Sequence, residues 1–245
     1  MPAVLPKAIP EGDLNYDPRQ RLIVALDVST TAAAQKIVAA VGDSALTYKV
    51  GMQLYTAVGP QIVRDLVAAG RRVFLDLKYH DIPNTVDAAV KEAAQLGVSM
   101  LTVHAAGSHK MLRSAVEAAA TRPGLMVLAV TVLTSLGQDD LETMGFGGTV
   151  QDSVLRLAKI ALVSGCQGIV TSAREASTLR AELGRNFAIV TPGVRPAGTS
   201  VGDQVRVVTP AEAIAAGASH IVVGRPITHA ADPAAEARKM LAEMA

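Results

Sequence analysis

From Arg21 onward, short apolar runs alternate with longer Ala-rich stretches in which apolar positions recur at helical spacing. Eight runs read as strands: 22–27, 45–50, 73–78, 99–104, 126–131, 168–171, 188–191 and 220–224. The stretches 31–41, 60–69, 85–96, 110–120, 150–164, 174–183, 210–216 and 233–244 read as helices. Five of the helices run into a glycine just before the next strand (Gly70, Gly97, Gly165, Gly184, Gly217), the residue that best tolerates the left-handed turn closing a helix. Most of the strands are apolar nearly throughout, which is the mark of a parallel sheet covered on both faces.

Eight strand–helix pairs in a chain of 245 residues predict a (β/α)8 barrel. An open doubly wound sheet is the second reading, but no G-x-G-x-x-G follows the first strand. No linker or shift of composition divides the repeat. The expected organisation is therefore one barrel domain over 21–245, preceded by an N-terminal arm over 1–20.

Composition narrows the function. Net charge is +1, without any Lys/Arg run, and aromatic residues make up 3 % with no Trp, so nothing suggests a nucleic-acid surface. The early prolines and the lack of an apolar core in the first 20 residues do not resemble a signal peptide. No apolar run approaches the ~18 residues of a membrane span. A cytoplasmic protein without nucleic-acid or membrane partners is expected. The single Cys166 cannot form an internal disulfide, and no Cys/His cluster has zinc spacing.

Barrel enzymes place their chemistry at the carboxyl ends of the strands, and the polar residues of this chain collect there. Strand one ends in Asp27, strand two in Lys49, strand three in Asp76 and Lys78, strand four in His104. Asp76 and Lys78 share one face of a strand by its period of two, and Asp81 follows where Pro83 and Asn84 break the pattern. This D-x-K-x-x-D could be a structural ion pair, which often adds little net stability. It could also be a proton donor, since carboxylates within ~4–6 Å favour the charged form of an amine. Lys49, Asp76, Lys78 and Asp81 would then form an alternating chain of charge around a reacting centre.

The loops after strands seven and eight are the usual phosphate site of this architecture. Gly193 and Gly224 let backbone N–H groups approach an anion, and Arg195 and Arg225 can grip phosphate oxygens. Gln204 lies in the long irregular stretch 192–208, a candidate lid. Thr134 and Ser135, after strand five, could bond a polar ring edge or simply cap their loop. His104 reads as a core histidine, and His80 as a loop residue without chemistry.

D-L-K-Y-H-D-I-P-N-T at 76–85 resembles the signature of orotidine 5'-phosphate decarboxylases. The resemblance extends through A-L-D at 25–27, Y-K-V-G at 48–51, V-T-V-L-T-S at 130–135, T-P-G-V-R-P at 191–196, G-D-Q at 202–204 and V-G-R-P at 223–226, all in family order. It implies a cofactor- and metal-independent barrel that converts orotidine 5'-monophosphate to UMP and carbon dioxide. Lys78 would protonate C6, Asp76 would sit beside the substrate carboxylate, and Lys49 would hold Asp76 and a ribose hydroxyl. Asp27 would bind ribose, Thr134 and Ser135 would meet the pyrimidine, and Arg195, Gln204, Gly224 and Arg225 would hold the phosphate. Asp81, Ile82 and Thr85 would reach into the neighbouring site of a homodimer.

Two alternatives remain at this level. One is a magnesium-dependent sugar-phosphate decarboxylase or aldolase of the same barrel superfamily. That group resembles this chain in its D-x-K-x-x-D but has an acidic metal ligand where Lys49 stands, and an ammonium there would repel a divalent cation. The other is a non-catalytic phosphate-binding barrel, which would need the two arginines but not the charge chain.

Overall fold

The computed structural model describes residues 17–196 and 208–245. Eight parallel strands close into a barrel in sequence order: β1 (Leu22–Ala25), β2 (Thr47–Gly51), β3 (Arg72–Tyr79), β4 (Met100–His104), β5 (Met126–Val130), β6 (Gly168–Val170), β7 (Ala188–Thr191) and β8 (His220–Val223). β8 pairs with β1, which removes every free edge. The open-sheet alternative is thereby excluded.

The helices are α1 (Pro18–Arg21), α2 (Thr31–Val41), α3 (Met52–Val58), α4 (Gln61–Ala68), α5 (Pro83–Gln95), α6 (Ser108–Ala119), α7 (Gln138–Thr143), α8 (Val150–Val163), α9 (Ala173–Leu183), α10 (Pro210–Ala215), α11 (Arg225–Thr228) and α12 (Pro233–Glu243). Side-chain caps set several of their starts. Thr30 accepts from the Ala33 N–H, and Thr149 with Asp152 and Thr209 with Glu212 form reciprocal capping boxes. All five predicted glycine stops have positive φ, from +72° to +102°. Pro83 does not merely end β3: it occupies the first turn of α5, where its missing N–H has no partner to lose. Four short helices were not anticipated. One of them, α1, spans the expected boundary between arm and barrel, and its backbone joins the barrel floor: the Leu46 N–H donates to Arg19 O and the Thr47 hydroxyl to Gln20 O.

Two apolar layers hold the barrel. Outside the strands, a continuous layer including Leu22, Val24, Leu75, Leu101 and Val103 meets the helices. Inside, Ile23, Ala25, Phe74, Met100, Met126, Leu128, Ala188, Val190 and Val222 fill the lumen. Each large side chain so buried contributes roughly 1.5–3 kcal/mol. The interior is thus a packed plug, and the polar groups stand above it at the carboxyl ends of the strands.

At the opposite end of the barrel His220 is buried. Desolvation, and then the nearby Arg21 and Arg72 cations, push its pKa from 6.5 down to about 3. The fold therefore stores a neutral imidazole, while the unfolded chain takes up a proton below the ordinary value. Stability is expected to be whole above pH ~6.5 and to fall as the pH drops towards ~3, by ~2 kcal/mol between pH 7 and 5. Denaturant unfolding at the two pH values checks this, with His220→Gln expected to lose that share of the acid sensitivity.

Candidate functional site

The site is built on an irregularity of β3. Leu75 pairs with Leu101 and Tyr79 with Val103, so Asp76, Leu77 and Lys78 on β3 stand opposite Thr102 alone on β4. Two extra residues leave the inward–outward parity unchanged. Leu77 and Tyr79 still pack outward, and Asp76 and Lys78 still line the lumen. The bulge is accommodated by Lys78, which has φ of +52°. A non-glycine residue in that region costs on the order of 1–3 kcal/mol, and such strain gathers at functional sites.

The distances describe a row of alternating charge. Lys78 Nζ lies 2.9 Å from Asp76 Oδ1; Asp76 Oδ2 lies 3.9 Å from Lys49 Nζ; Lys49 Nζ lies 2.8 Å from Asp27 Oδ1. Asp76 and Lys49 are 14 % and 12 % exposed in their side chains, so their mutual fields are less screened than those of surface ions. Gly51 makes room for the row. A Cβ there would stand 2.8 Å from Lys49 Nζ and 3.5 Å from Asp27 Oδ1.

Two cavities meet at this row. The larger, about 540 Å³, runs from Asp27, Lys49 and Asp76 to Gly193, Arg195, Gly224 and Arg225. The smaller, about 190 Å³, is bounded by Lys49, Asp76 and Lys78 below apolar Val130, Val132 and Val170, with Thr134 and Thr171 as polar members. Lys49, Asp76, Pro192 and Val222 line both. Gly193 has φ of +79°, so the loop after β7 depends on a glycine at that turn. The Arg195 N–H donates to Val208 O at 3.0 Å, tying the two ends of the 192–208 segment together. Gln204, between them, falls outside the described residues.

The structure thus brings Asp27, Lys49, Asp76, Lys78, Thr134, Arg195, Gly224 and Arg225 into one cleft. It does not bring in Asp81, Ile82, Thr85 or Ser135. Ser135 lines neither cavity, and Asp81 makes no ion pair among the described residues. Asp81 Oδ1 accepts from the Ile82 N–H at 2.6 Å, and Ile82 is 65 % exposed. Within one chain the expected four-membered charge row therefore contains Asp27 in place of Asp81.

His104 is not a core histidine. It is partly exposed, its ring stacks on that of His80 at 5.2 Å, and Nδ1 accepts from the Ala106 N–H. Desolvation, with His80 and Lys78 nearby, lowers its pKa. Sequence reasoning missed two residues, Gly51 and Thr102. Thr102 is fully buried and bonded to both Asp76 and Lys78. Its signal was available: it shares the inward parity of Met100 on a strand otherwise apolar there.

Among the described residues no group of three or more His, Cys, Asp or Glu side chains is placed to hold a metal ion. No helix among them is long and apolar enough to cross a membrane.

A closed parallel barrel with its lysines and aspartates gathered at the strand ends defines the class as a (β/α)8-barrel enzyme. More particularly, the chain belongs to the orotidine 5'-phosphate decarboxylase / HUMPS family, whose model matches residues 20–240. It is 52 % identical over 229 residues to orotidine 5'-phosphate decarboxylase of Afipia carboxidovorans, covering 94 % of this chain and 96 % of that one. It is 52 % identical over 225 residues to the enzyme of the same name from Anaeromyxobacter dehalogenans, covering 92 % and 98 %. The crystal structure of orotidine 5'-phosphate decarboxylase from Lactobacillus acidophilus superposes with a TM-score of 0.82 at 39 % identity, over 92 % of this chain and 99 % of that one.

Proposed function

We propose that this chain is a carboxy-lyase that converts orotidine 5'-monophosphate to UMP and carbon dioxide in pyrimidine biosynthesis. The observation that carries the reading is the Asp27–Lys49–Asp76–Lys78 row at the junction of two cavities. One cavity has arginines at its far end and the other is small and largely apolar, as a nucleotide's phosphate and base require.

In this reading Arg195, Arg225, the backbone at Gly224 and Gln204 hold the phosphate, and Asp27 and Lys49 bond the ribose hydroxyls. Thr134 and Ser135 meet the pyrimidine edge. The C6–carboxylate bond then points at Asp76 and Lys78. As it breaks, the electron pair stays on C6, which has no conjugated sink, so the enzyme must favour that charge over the ground state. The Lys78 ammonium stabilises it and gives up a proton to it, forming the C6–H bond of UMP; the neutral amine is reprotonated from solvent. Asp81, Ile82 and Thr85 complete the site across a homodimer. Residues 21–245 act as one catalytic domain, with 1–20 as an arm.

Lys49 stands between Asp27 and Asp76, where a divalent cation bridging those carboxylates would have to sit, and this disfavours the magnesium-dependent alternative. The test is loss of the orotate absorbance of orotidine 5'-monophosphate with UMP formed. Full activity in EDTA is expected. Activity that EDTA abolishes and magnesium restores would favour the alternative, and binding without turnover would favour a non-catalytic barrel.

A further inference from the structure

We infer that Thr102 is a positioning residue for decarboxylation: its one hydroxyl fixes the main chain of Lys78 and the carboxylate of Asp76 together. The inference rests on the proposed role of Lys78 as proton donor.

The bulge in β3 leaves backbone groups without their regular ladder partners. Three residues of β3 face one of β4, so the regular ladder cannot serve every N–H there. The Lys78 N–H donates instead to Thr102 Oγ1, at 2.8 Å. A backbone N–H can only donate, so that bond occupies the hydroxyl as an acceptor. Its own proton is then free for Asp76 Oδ1, 3.0 Å away, an oxygen that can only accept when ionised. The same Oδ1 receives Lys78 Nζ at 2.9 Å. The result is a closed ring running from the Lys78 backbone through Thr102 and Asp76 to the Lys78 ammonium. Both polar directions of the hydroxyl are set by partners that have no choice.

Thr102 is fully buried and lines neither cavity, so it acts on substrate only through the other two residues. What it supplies is aim. Lys78 has a strained backbone and a flexible four-carbon stem, and without the anchor both the bulge and the Asp76 rotamer gain freedom. A misplacement of about 1 Å can cost on the order of 100-fold in rate. The phosphate grip lies at the far end of the cleft and does not depend on Thr102.

The test compares Thr102→Val, which keeps shape but loses the hydroxyl, with Thr102→Ser, which keeps the hydroxyl. The Val variant is expected to lose about 100-fold in kcat while KM and UMP affinity change less than about 3-fold, and the Ser variant to stay within about 5-fold of the parent. A kcat within about 3-fold of the parent for Thr102→Val would overturn the inference. So would a Ser variant as slow as the Val variant, or a loss of UMP affinity as large as the loss of kcat. Should the Val variant not fold, Thr102→Ala takes its place under the same criteria. Lys78→Ala is run in parallel. If it is inactive while Thr102→Val is fully active, only the role of Thr102 falls; if it turns over normally, the role of Lys78 falls and this inference with it.

Discussion

Lys78→Ala is expected to fold, to bind UMP and to lose decarboxylation by at least ~10⁴-fold, since a positioned general acid contributes ~10²–10⁴ and a preorganised charge a further ~10²–10³. The two contributions come from one ammonium, so no neighbour can replace either. Lys49 is the other ammonium of the row, but it is held 2.8 Å from Asp27 and 3.9 Å from Asp76. Folding should survive because both residues carry a Cβ at φ of +52°, so the backbone strain is the same. Asp76 keeps Lys49 at 3.9 Å and the Thr102 hydroxyl at 3.0 Å as partners, so its carboxylate is not left uncompensated when the ammonium is removed. Single-turnover kinetics with UMP affinity measured separately checks the result: near-normal turnover would refute the role of Lys78, and lost UMP affinity would point to a damaged site instead.

The second large effect is a gain. Mixing inactive Lys78→Ala and Asp81→Ala chains is expected to restore about a quarter of parental activity: random pairing makes half the dimers mixed, and each mixed dimer has one intact site of two. The basis is the isolation of Asp81 in a single chain. It touches none of the other charged site residues, its carboxylate shapes the turn into α5, and the adjacent Ile82 leaves an apolar side chain 65 % exposed. An exposed large apolar group beside an unused acid is what a partner subunit would cover. Activity should rise with the time allowed for subunit exchange and reach its plateau when exchange is complete. No recovery after proven exchange would argue against a shared site.

Much of this architecture was legible because each layer has its own period. Buried parallel strands are runs of apolar residues, helices repeat on a longer period, and the glycine stops mark their ends. The gathering of Asp27, Lys49, Asp76 and Lys78 followed from their common place at strand ends, once the strands were assumed parallel. The agreement at β3 was partly fortunate. Period-two alternation put Asp76 and Lys78 on one face, and the bulge kept that parity only because it inserts two residues rather than one. Nothing local announces the positive φ of Lys78, since lysine has no preference for that region.

The helices that escaped notice, α1, α3, α7 and α11, have from 4 to 7 residues each, too few turns for a period to show. His104 differs from the core histidine that its sequence position predicts, because a strand-end histidine gives no hint that a loop residue, His80, stacks on it. The part played by Thr102 depends on a pairing between β3 and β4 that only three dimensions reveal.

Hydrogen exchange at C6 of UMP isolates the proton transfer from the release of carbon dioxide. By microscopic reversibility, the group that protonates C6 also removes that proton from the product. UMP incubated with the parent enzyme in D2O and followed by proton NMR should slowly lose its C6 hydrogen signal, while with Lys78→Ala at saturating UMP the signal should persist. Equal exchange in the two proteins would contradict the assignment of Lys78 as the proton donor.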